Sequence, residues 1–248
     1  MKSPQNQNNS TRKFAVFDID GTLIRWQLYH AIVEALSAKN SISKASSEAI
    51  AAAQLLWKKR SHENSFREYE VVLIQEYHKA LSSVQAKDYE LAVKEAFDAH
   101  KDHVYVYTRD LIKSLKEQGY LLFAVSGSQQ EAVELIGEYY GFDAVIGSIY
   151  RRQENGTIGE MLSTPAEDGK GVHVKNLVAR FNATYENSYA VGDSRSDAQM
   201  LELVENPIAF NPDRNLFTLA QENRWKIVLE RKNVIYELEN TDGTYLLA

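Results

Sequence analysis

From Thr22 to Glu117 the chain contains neither glycine nor proline, and this gap constrains the fold more than any other feature. Those two residues punctuate turns and break helices. A stretch of this length without them, rich in Ala, Glu, Lys and Leu from Leu28 to His100, predicts an all-helical block of about four helices. Inside it Ser65-Phe66-Arg67-Glu68 has capping-box spacing, which predicts a helix start there.

The flanks read differently. Phe14-Ala15-Val16-Phe17 is a short apolar run that ends abruptly at Asp18, as a buried strand does. Beyond the helical block, Thr108 is placed to cap a helix ending near Gly119, and Tyr120 to Val125 forms a second apolar strand. A helix is expected to begin near Ser128-Gln129-Gln130-Glu131 and close before Gly141, followed by a strand near Ala144 to Ile149. Further strands are predicted at residues 188–191, 207–210 and 226–229, with helices near 171–181, 197–204 and 215–223. Between them, Gln153 to Asp168 carries turn signals at Asn155-Gly156 and Thr164-Pro165 and reads as a surface excursion or hairpin. Alternating strands and helices imply an α/β class, a doubly wound, mostly parallel sheet. The expected organisation is a disordered tail over residues 1–12, a core over 13–25 and 106–248, and a helical cap inserted over 26–105.

Composition removes several function classes. Without cysteine there can be no disulfide or thiolate metal site, which is compatible with a cytoplasmic location. A net charge of −6 offers no broad basic footprint, so nucleic acid is not an expected partner. The longest apolar run, Tyr120 to Val125, is far short of the roughly 20 residues that span a bilayer, so no membrane is expected either. The Asn-, Gln- and Ser-rich start lacks the apolar segment of a secretory signal. Nothing fixes an oligomeric state.

Four short motifs sit at strand ends or helix starts, where open α/β sheets place their ligands. Asp18-Ile19-Asp20-Gly21-Thr22 sets two carboxylates on a turn after the first strand. Alone, it is also a common loop terminator. Ser126-Gly127-Ser128 follows the second strand and reads either as a plain N-cap or as a phosphate site built on free helix-start amides. Gly169-Lys170-Gly171 presents a lysine at another helix start, with Lys175, a turn or more further in, as the less suited candidate. Gly192-Asp193-Ser194-Arg195-Ser196-Asp197 places two carboxylates four residues apart after an apolar strand. Together these supply a carboxylate nucleophile, a second carboxylate for proton transfer, hydroxyl and amide donors, a cation and acidic metal ligands, which is the set phosphoryl transfer requires.

In order and strand position the four motifs resemble the haloacid dehalogenase superfamily from Phe14 to about Leu229. The helical insert between the first two motifs is similar to the phosphoserine-phosphatase-like branch, subclass IB. So are the spacing from Gly169-Lys170-Gly171 to Val191-Gly192-Asp193 and the segment Ile208-Ala209-Phe210-Asn211-Pro212-Asp213. The resemblance implies a phosphatase acting on a small phosphorylated metabolite through an aspartyl-phosphate. Asp18 would be the nucleophile and Asp20 the general acid and base, with Mg2+ on the Asp18 carboxylate, the Asp20 carbonyl and the Asp193 carboxylate. Thr22, Ser126, Gly127 and Lys170 would hold the phosphate, and Asp197 would orient Lys170 or a metal-bound water. A phosphotransferase or mutase using the same intermediate, or a non-catalytic phosphate-binding module, are the alternatives. Whether Asp20 is protonated is open, since Asp18 favours its proton and a metal opposes it.

The insert departs from that branch. Its glutamate seven residues after the second motif aspartate corresponds to Gln27, and its insert arginine, counted from Phe66, corresponds to Val71. Both anchors for a free amino acid are then neutral, and phosphoserine is expected to be a poor substrate. Arg25, Trp26 and Gln27, with Trp57, Arg60 or Arg67, are the candidate selectors. The basic run Lys58-Lys59-Arg60 also reads as a solvated helix end, and His100 with His103 has no evident third metal ligand.

Overall fold

The computed structural model describes residues 11–241 and 244–247. Residues 1–10 of the expected tail lie outside the described residues, while Arg12 already opens the first strand. The strands are β1 (Arg12–Phe17), β2 (Leu121–Gln129), β3 (Ala144–Arg152), β4 (Ile158–Ser163), β5 (Ala183–Gly192), β6 (Asn206–Phe210), β7 (Lys226–Arg231), β8 (Val234–Thr241) and β9 (Thr244–Leu247). The helices are α1 (Leu28–Ala38), α2 (Lys44–Lys59), α3 (Ser65–Leu81), α4 (Ala86–His100), α5 (Val106–Glu117), α6 (Gln130–Tyr140), α7 (Pro165–Asp168), α8 (Lys170–Phe181), α9 (Ala198–Leu201) and α10 (Arg214–Glu222). Among the described residues no helix is long and apolar enough to cross a membrane.

Among the described residues nine strands form one sheet in the order β4-β3-β2-β1-β5-β6-β7-β8-β9. The six from β3 to β7 run parallel, and β4 at one edge and β8 and β9 at the other run antiparallel. The fold is therefore the α/β class expected, with a mostly parallel sheet. The excursion after β3 is the β3–β4 hairpin, closed at Asn155-Gly156 and followed by α7, whose N-cap is Thr164.

Successive strand residues point to opposite faces, and β1 and β2 are apolar on both. Phe14, Val16, Leu121, Phe123 and Val125 pack with Val174, Leu177 and Leu216 from α8 and α10. Ala15, Phe17, Leu122 and Ala124 pack on the other face with Ile112 and Leu115 of α5 and Val133 and Ile136 of α6. That second cluster continues without a break into Ile32, Leu36, Tyr69, Leu73, Tyr77 and Tyr89 of the helices that precede α5. The helical insert and the sheet thus share one hydrophobic cluster.

Four helices span the predicted block, but three expected helix starts are made differently. Ser65 does not cap α3: its hydroxyl donates to the His62 carbonyl at 2.7 Å, the N-cap position is Asn64, and Glu68 approaches His62. Thr108 is the third residue of α5, buried, with its hydroxyl donating to the Thr22 carbonyl at 2.9 Å. The α5 N-terminus is held by Glu230, whose carboxylate accepts from the amides of Val106 at 3.1 Å and Tyr107 at 2.9 Å. β2 runs on through Ser128 to Gln129, which pairs with Ser148, so α6 begins only at Gln130.

Candidate active site

β1 and β5 are neighbours whose connections leave in opposite directions across the sheet, one towards β2 and one towards β6. A crevice opens at such a switch point beyond the strand ends. Phe17 pairs with Val191 there, and the Asp18 amide extends the ladder by donating to the Val191 carbonyl at 2.9 Å. The pairing sets Asp18 beside Gly192 and brings Asp193 across from the Asp18–Thr22 turn. Gly21 has φ +77°, and a Cβ on it would overlap the Asp193 carboxylate, so this turn needs glycine for both backbone and space.

Lys170, the first residue of α8, projects its ammonium into this crevice. Nζ donates to Asp18 Oδ1 at 2.6 Å and to Asp197 Oδ1 at 2.5 Å, and all three side chains are almost wholly buried. Lys175 is exposed. Burial alone would depress the lysine, but the two carboxylates outweigh it and hold Lys170 above its ordinary range. The other oxygen of Asp197 accepts from the amides of Asp193 at 3.0 Å and Ser194 at 2.9 Å, tying the β5 loop to Lys170.

The electrostatics of the crevice remain acidic. Burial, against Lys170 and with Asp197 and Asp20 adding repulsion, pushes Asp18 up to about 7. Asp193 is raised well above the carboxylate range, first by burial and then by Asp18 and Asp197. No hydrogen bond or ion pair engages the Asp193 carboxylate among the described residues. Asp18, Asp193 and Asp197 each offer an oxygen, all within 4.8 Å of one another. This donor set consists of hard oxygens only, and its uncompensated charge fits a cation such as Mg2+. The Asp20 side chain is not in the cluster.

Asp20 Oδ2 accepts from the Ser126 hydroxyl at 2.7 Å, and Oδ1 accepts from the Leu28 amide, at the start of α1, at 2.6 Å. Burial raises Asp20 above its usual value; Ser126, the Leu28 amide, Ser128 and Lys170 pull the other way. Ser126 is thus committed to Asp20 and also accepts from the Ser128 amide at 2.9 Å. The picture of free helix-start amides after Ser126 is corrected accordingly: β2 still has a strand conformation there, and Ser148 donates to the Gly127 carbonyl at 2.6 Å. Thr22 donates to Asp18 Oδ2 at 3.3 Å.

The insert reaches this site through α1. Besides Leu28, the Tyr29 amide donates to Ser128 Oγ at 3.1 Å. Arg25, one of the candidate selectors, is engaged within the protein: its guanidinium pairs with the buried Glu230, donates through Nε to the Val104 carbonyl at 2.7 Å and lies over the Tyr105 ring. Val71 is 46% exposed, and the neighbouring Glu70 faces α1 instead, 3.8 Å from His30 Nε2. Arg60 is the left-handed C-cap of α2 and Arg67 is exposed, whereas Trp26 and Trp57 pack around His30, Phe66 and Tyr69. Sequence reasoning missed Glu70 and Glu230, for which no local motif exists.

A family model described as haloacid dehalogenase-like hydrolase matches residues 15–202. The chain belongs to that family. Within it, the chain is 24% identical over 229 residues to a histidinol-phosphatase of Neisseria meningitidis serogroup C, covering 88% of this chain and 98% of that one. Among solved structures it is similar to a protein of unknown function from Bordetella pertussis Tohama I, with a TM-score of 0.65, 21% identity and coverage of 88% and 98%. It also resembles a phosphoserine phosphatase captured as a phospho-aspartyl intermediate analogue, with a TM-score of 0.58, 22% identity and coverage of 90% and 95%. At these identities the two structures show a shared fold and no more.

Proposed function

We propose that this haloacid dehalogenase-like hydrolase is a Mg2+-dependent phosphatase that cleaves a small phosphomonoester through an aspartyl-phosphate on Asp18. The observation that carries this reading is the setting of Asp18. It is a buried carboxylate at the switch point, with one oxygen on the Lys170 ammonium and the other on the weaker 3.3 Å contact from Thr22. The phosphatase names of its relatives support the same chemistry.

In the first half-reaction Asp18 Oδ2 attacks phosphorus in line. The new O–P bond forms as the ester O–P bond breaks, and Asp20 gives its proton to the departing alkoxide. In the second, Asp20 takes a proton from water as that water attacks phosphorus, releasing phosphate and restoring the Asp18 carboxylate. The raised proton affinity of Asp20 supports its starting as the acid. Lys170, Thr22 and the Gly127 amide would meet the phosphoryl oxygens, and Ser126 would join them by releasing Asp20. Held by Asp18, Asp193 and the Asp20 carbonyl, Mg2+ would neutralise the charge of the phosphoryl oxygens. Asp197 positions Lys170.

Helices α1 to α4 act as a cap in this reading. Asp18 and Lys170 are only 4% and 3% exposed, so substrate entry requires the cap to swing on the crossings near residues 20–25 and 103–106. Release of inorganic phosphate from p-nitrophenyl phosphate in water, dependent on Mg2+ and abolished by EDTA, is the expected result. Its occurrence without an added alcohol acceptor separates a hydrolase from a phosphotransferase, and no Mg2+-dependent release would reject the proposal. Histidinol phosphate and phosphoserine belong on the substrate panel that follows.

A further inference from the structure

Among the described residues the Glu70 carboxylate forms no ion pair with a lysine or arginine. It lies on α3, half-buried, makes no hydrogen bond among the described residues, and has His30 Nε2, at 3.8 Å, as its ion-pair contact. His30 is no cation to it, because burial pulls the imidazole down to about 4 and leaves it neutral at pH 7. Its second nitrogen, Nδ1, is buried without a hydrogen-bond partner among the described residues, and the residue is 2% exposed. A buried orphan nitrogen is costly unless something binds it part of the time.

The place of this pair in the fold gives it meaning. His30 lies two residues beyond Leu28, whose amide holds Asp20 Oδ1, so α1 carries both the contact to the proposed acid and the imidazole. Burial and then the Asp20 charge raise Glu70 to about 7, with Arg67 opposing, which puts the Glu70 carboxyl within electrostatic reach of Asp20. Around His30 stand the rings of Trp26 at 5.7 Å, Phe66 at 5.9 Å and Tyr69 at 5.1 Å, and Trp57 lies parallel to Tyr69 at 5.3 Å. Aromatic faces next to a carboxylate are the surroundings that bind organic ammonium groups.

We infer that Glu70, His30 and these rings form the subsite for the alcohol portion of the substrate, and that it takes a protonated nitrogen. The substrates are then phosphomonoesters of amino alcohols or of alcohols bearing another protonated base. This rests on the phosphatase proposal and names its substrate class. A cationic group at Glu70 would restore its ionisation, and the imidazole Nδ1 would take a hydrogen bond from it or give one. A carboxylate on the same alcohol would meet Glu70 and Asp20 and be repelled, so phosphorylated amino acids should rank below the matching amino alcohols. Gln27 and Val71 offer no charge to reverse this order.

Three esters of similar size separate the outcomes: O-phosphoethanolamine, glycerol 1-phosphate and 3-phosphoglycerate. Binding to the full-length Asp18→Asn protein is followed by tryptophan fluorescence, since Trp26 and Trp57 belong to the ring cluster. Phosphoethanolamine is expected to bind about ten- to a hundredfold more tightly than glycerol phosphate, the effect of one charge-assisted hydrogen bond, with phosphoglycerate weakest. In Asp18→Asn/Glu70→Gln the preference should collapse to within about threefold, and in wild type Glu70→Gln should lower the kcat/KM ratio of the same pair in parallel. Equal binding of the amino and neutral esters, or a preference that survives Glu70→Gln, overturns the inference. Selective binding in Asp18→Asn with no phosphate release by wild type would leave this subsite standing and reject the phosphatase proposal instead.

Discussion

Lys170→Met removes the ammonium that bridges Asp18 and Asp197 at 2.6 and 2.5 Å and leaves the carboxylate cluster without a cation. Breaking a buried ion pair from one side costs about 3–5 kcal/mol, because the remaining charge is left desolvated. The carboxylates have an escape, which is to take up protons. Asp18 is pushed to about 7 even with Lys170 present, so without it the folded protein holds protons that the unfolded chain, with its Asp near 3.8, has lost. Each proton so held is worth about 1.36 kcal/mol per pH unit, but wild-type Asp18, at about 7, gains most of the same stability, so from pH 7.5 to 5.5 the penalty for one group should shrink by only about 1 kcal/mol. Mg2+ offers a second escape: at about a hundred times its Kd it stabilises the protein by roughly 2.7 kcal/mol, and the loss shrinks by the extent to which the variant, freed of its competing ammonium, binds it more tightly than wild type. Urea denaturation of wild type and variant at both pH values, with and without Mg2+, gives all of these differences. A loss below about 1 kcal/mol at pH 7.5, or a loss that neither acid nor Mg2+ relieves, would refute the electrostatic picture of the crevice.

Wild type carries a weaker form of the same linkage. Asp18 and Glu70 are raised to about 7, so the stability they contribute is full at acid pH and is lost as pH rises through about 7. His30, lowered to about 4, has the opposite sign and withdraws stability as pH falls below about 6.5. Metal-free protein should therefore gain stability from pH 8 down to about 5, His30 offsetting one of the two carboxyls below about 6.5; a steady fall in urea midpoints as the pH is lowered over this range contradicts this. Glu230→Ala removes the partner of Arg25 and the acceptor of two α5 amides, and should cost about 3–5 kcal/mol in the same assay. A cost under about 1 kcal/mol would mean that this buried contact does not secure the crossing into the insert.

Much of the sheet was legible because its signals are local. An apolar run that stops at an acidic Gly turn is visible in four residues, and the Gly- and Pro-free block holds the four helices α1 to α4. The choice of Lys170 over Lys175 followed from helix geometry, and the structure buries the first and exposes the second. What failed depended on partners outside the motif that carried the signal. The hydroxyls of Ser65 and Thr108 had local caps available but are spent on His62 and on Thr22, and β2 passes its expected end because β3 offers Gln129 a partner. Glu230 holds a helix start more than a hundred residues earlier, and its role has no sequence signature. Glu70 was missed for a related reason: counting from Phe66 chose Val71, one residue along and about 100° around the helix. β8 and β9 extend the sheet at an edge, where Val234, Ile235 and Tyr236 are all partly exposed and give no clean inward-outward alternation.

The most direct measurement is phosphate release by Asp18→Asn. The amide keeps the shape of the side chain and can still meet Lys170 through its oxygen, but it cannot displace an alkoxide from phosphorus. Under saturating Mg2+ and p-nitrophenyl phosphate, with the fold checked by circular dichroism, kcat should fall by about a thousandfold or more. A folded variant that retained more than about a tenth of wild-type turnover would show that Asp18 is not the nucleophile.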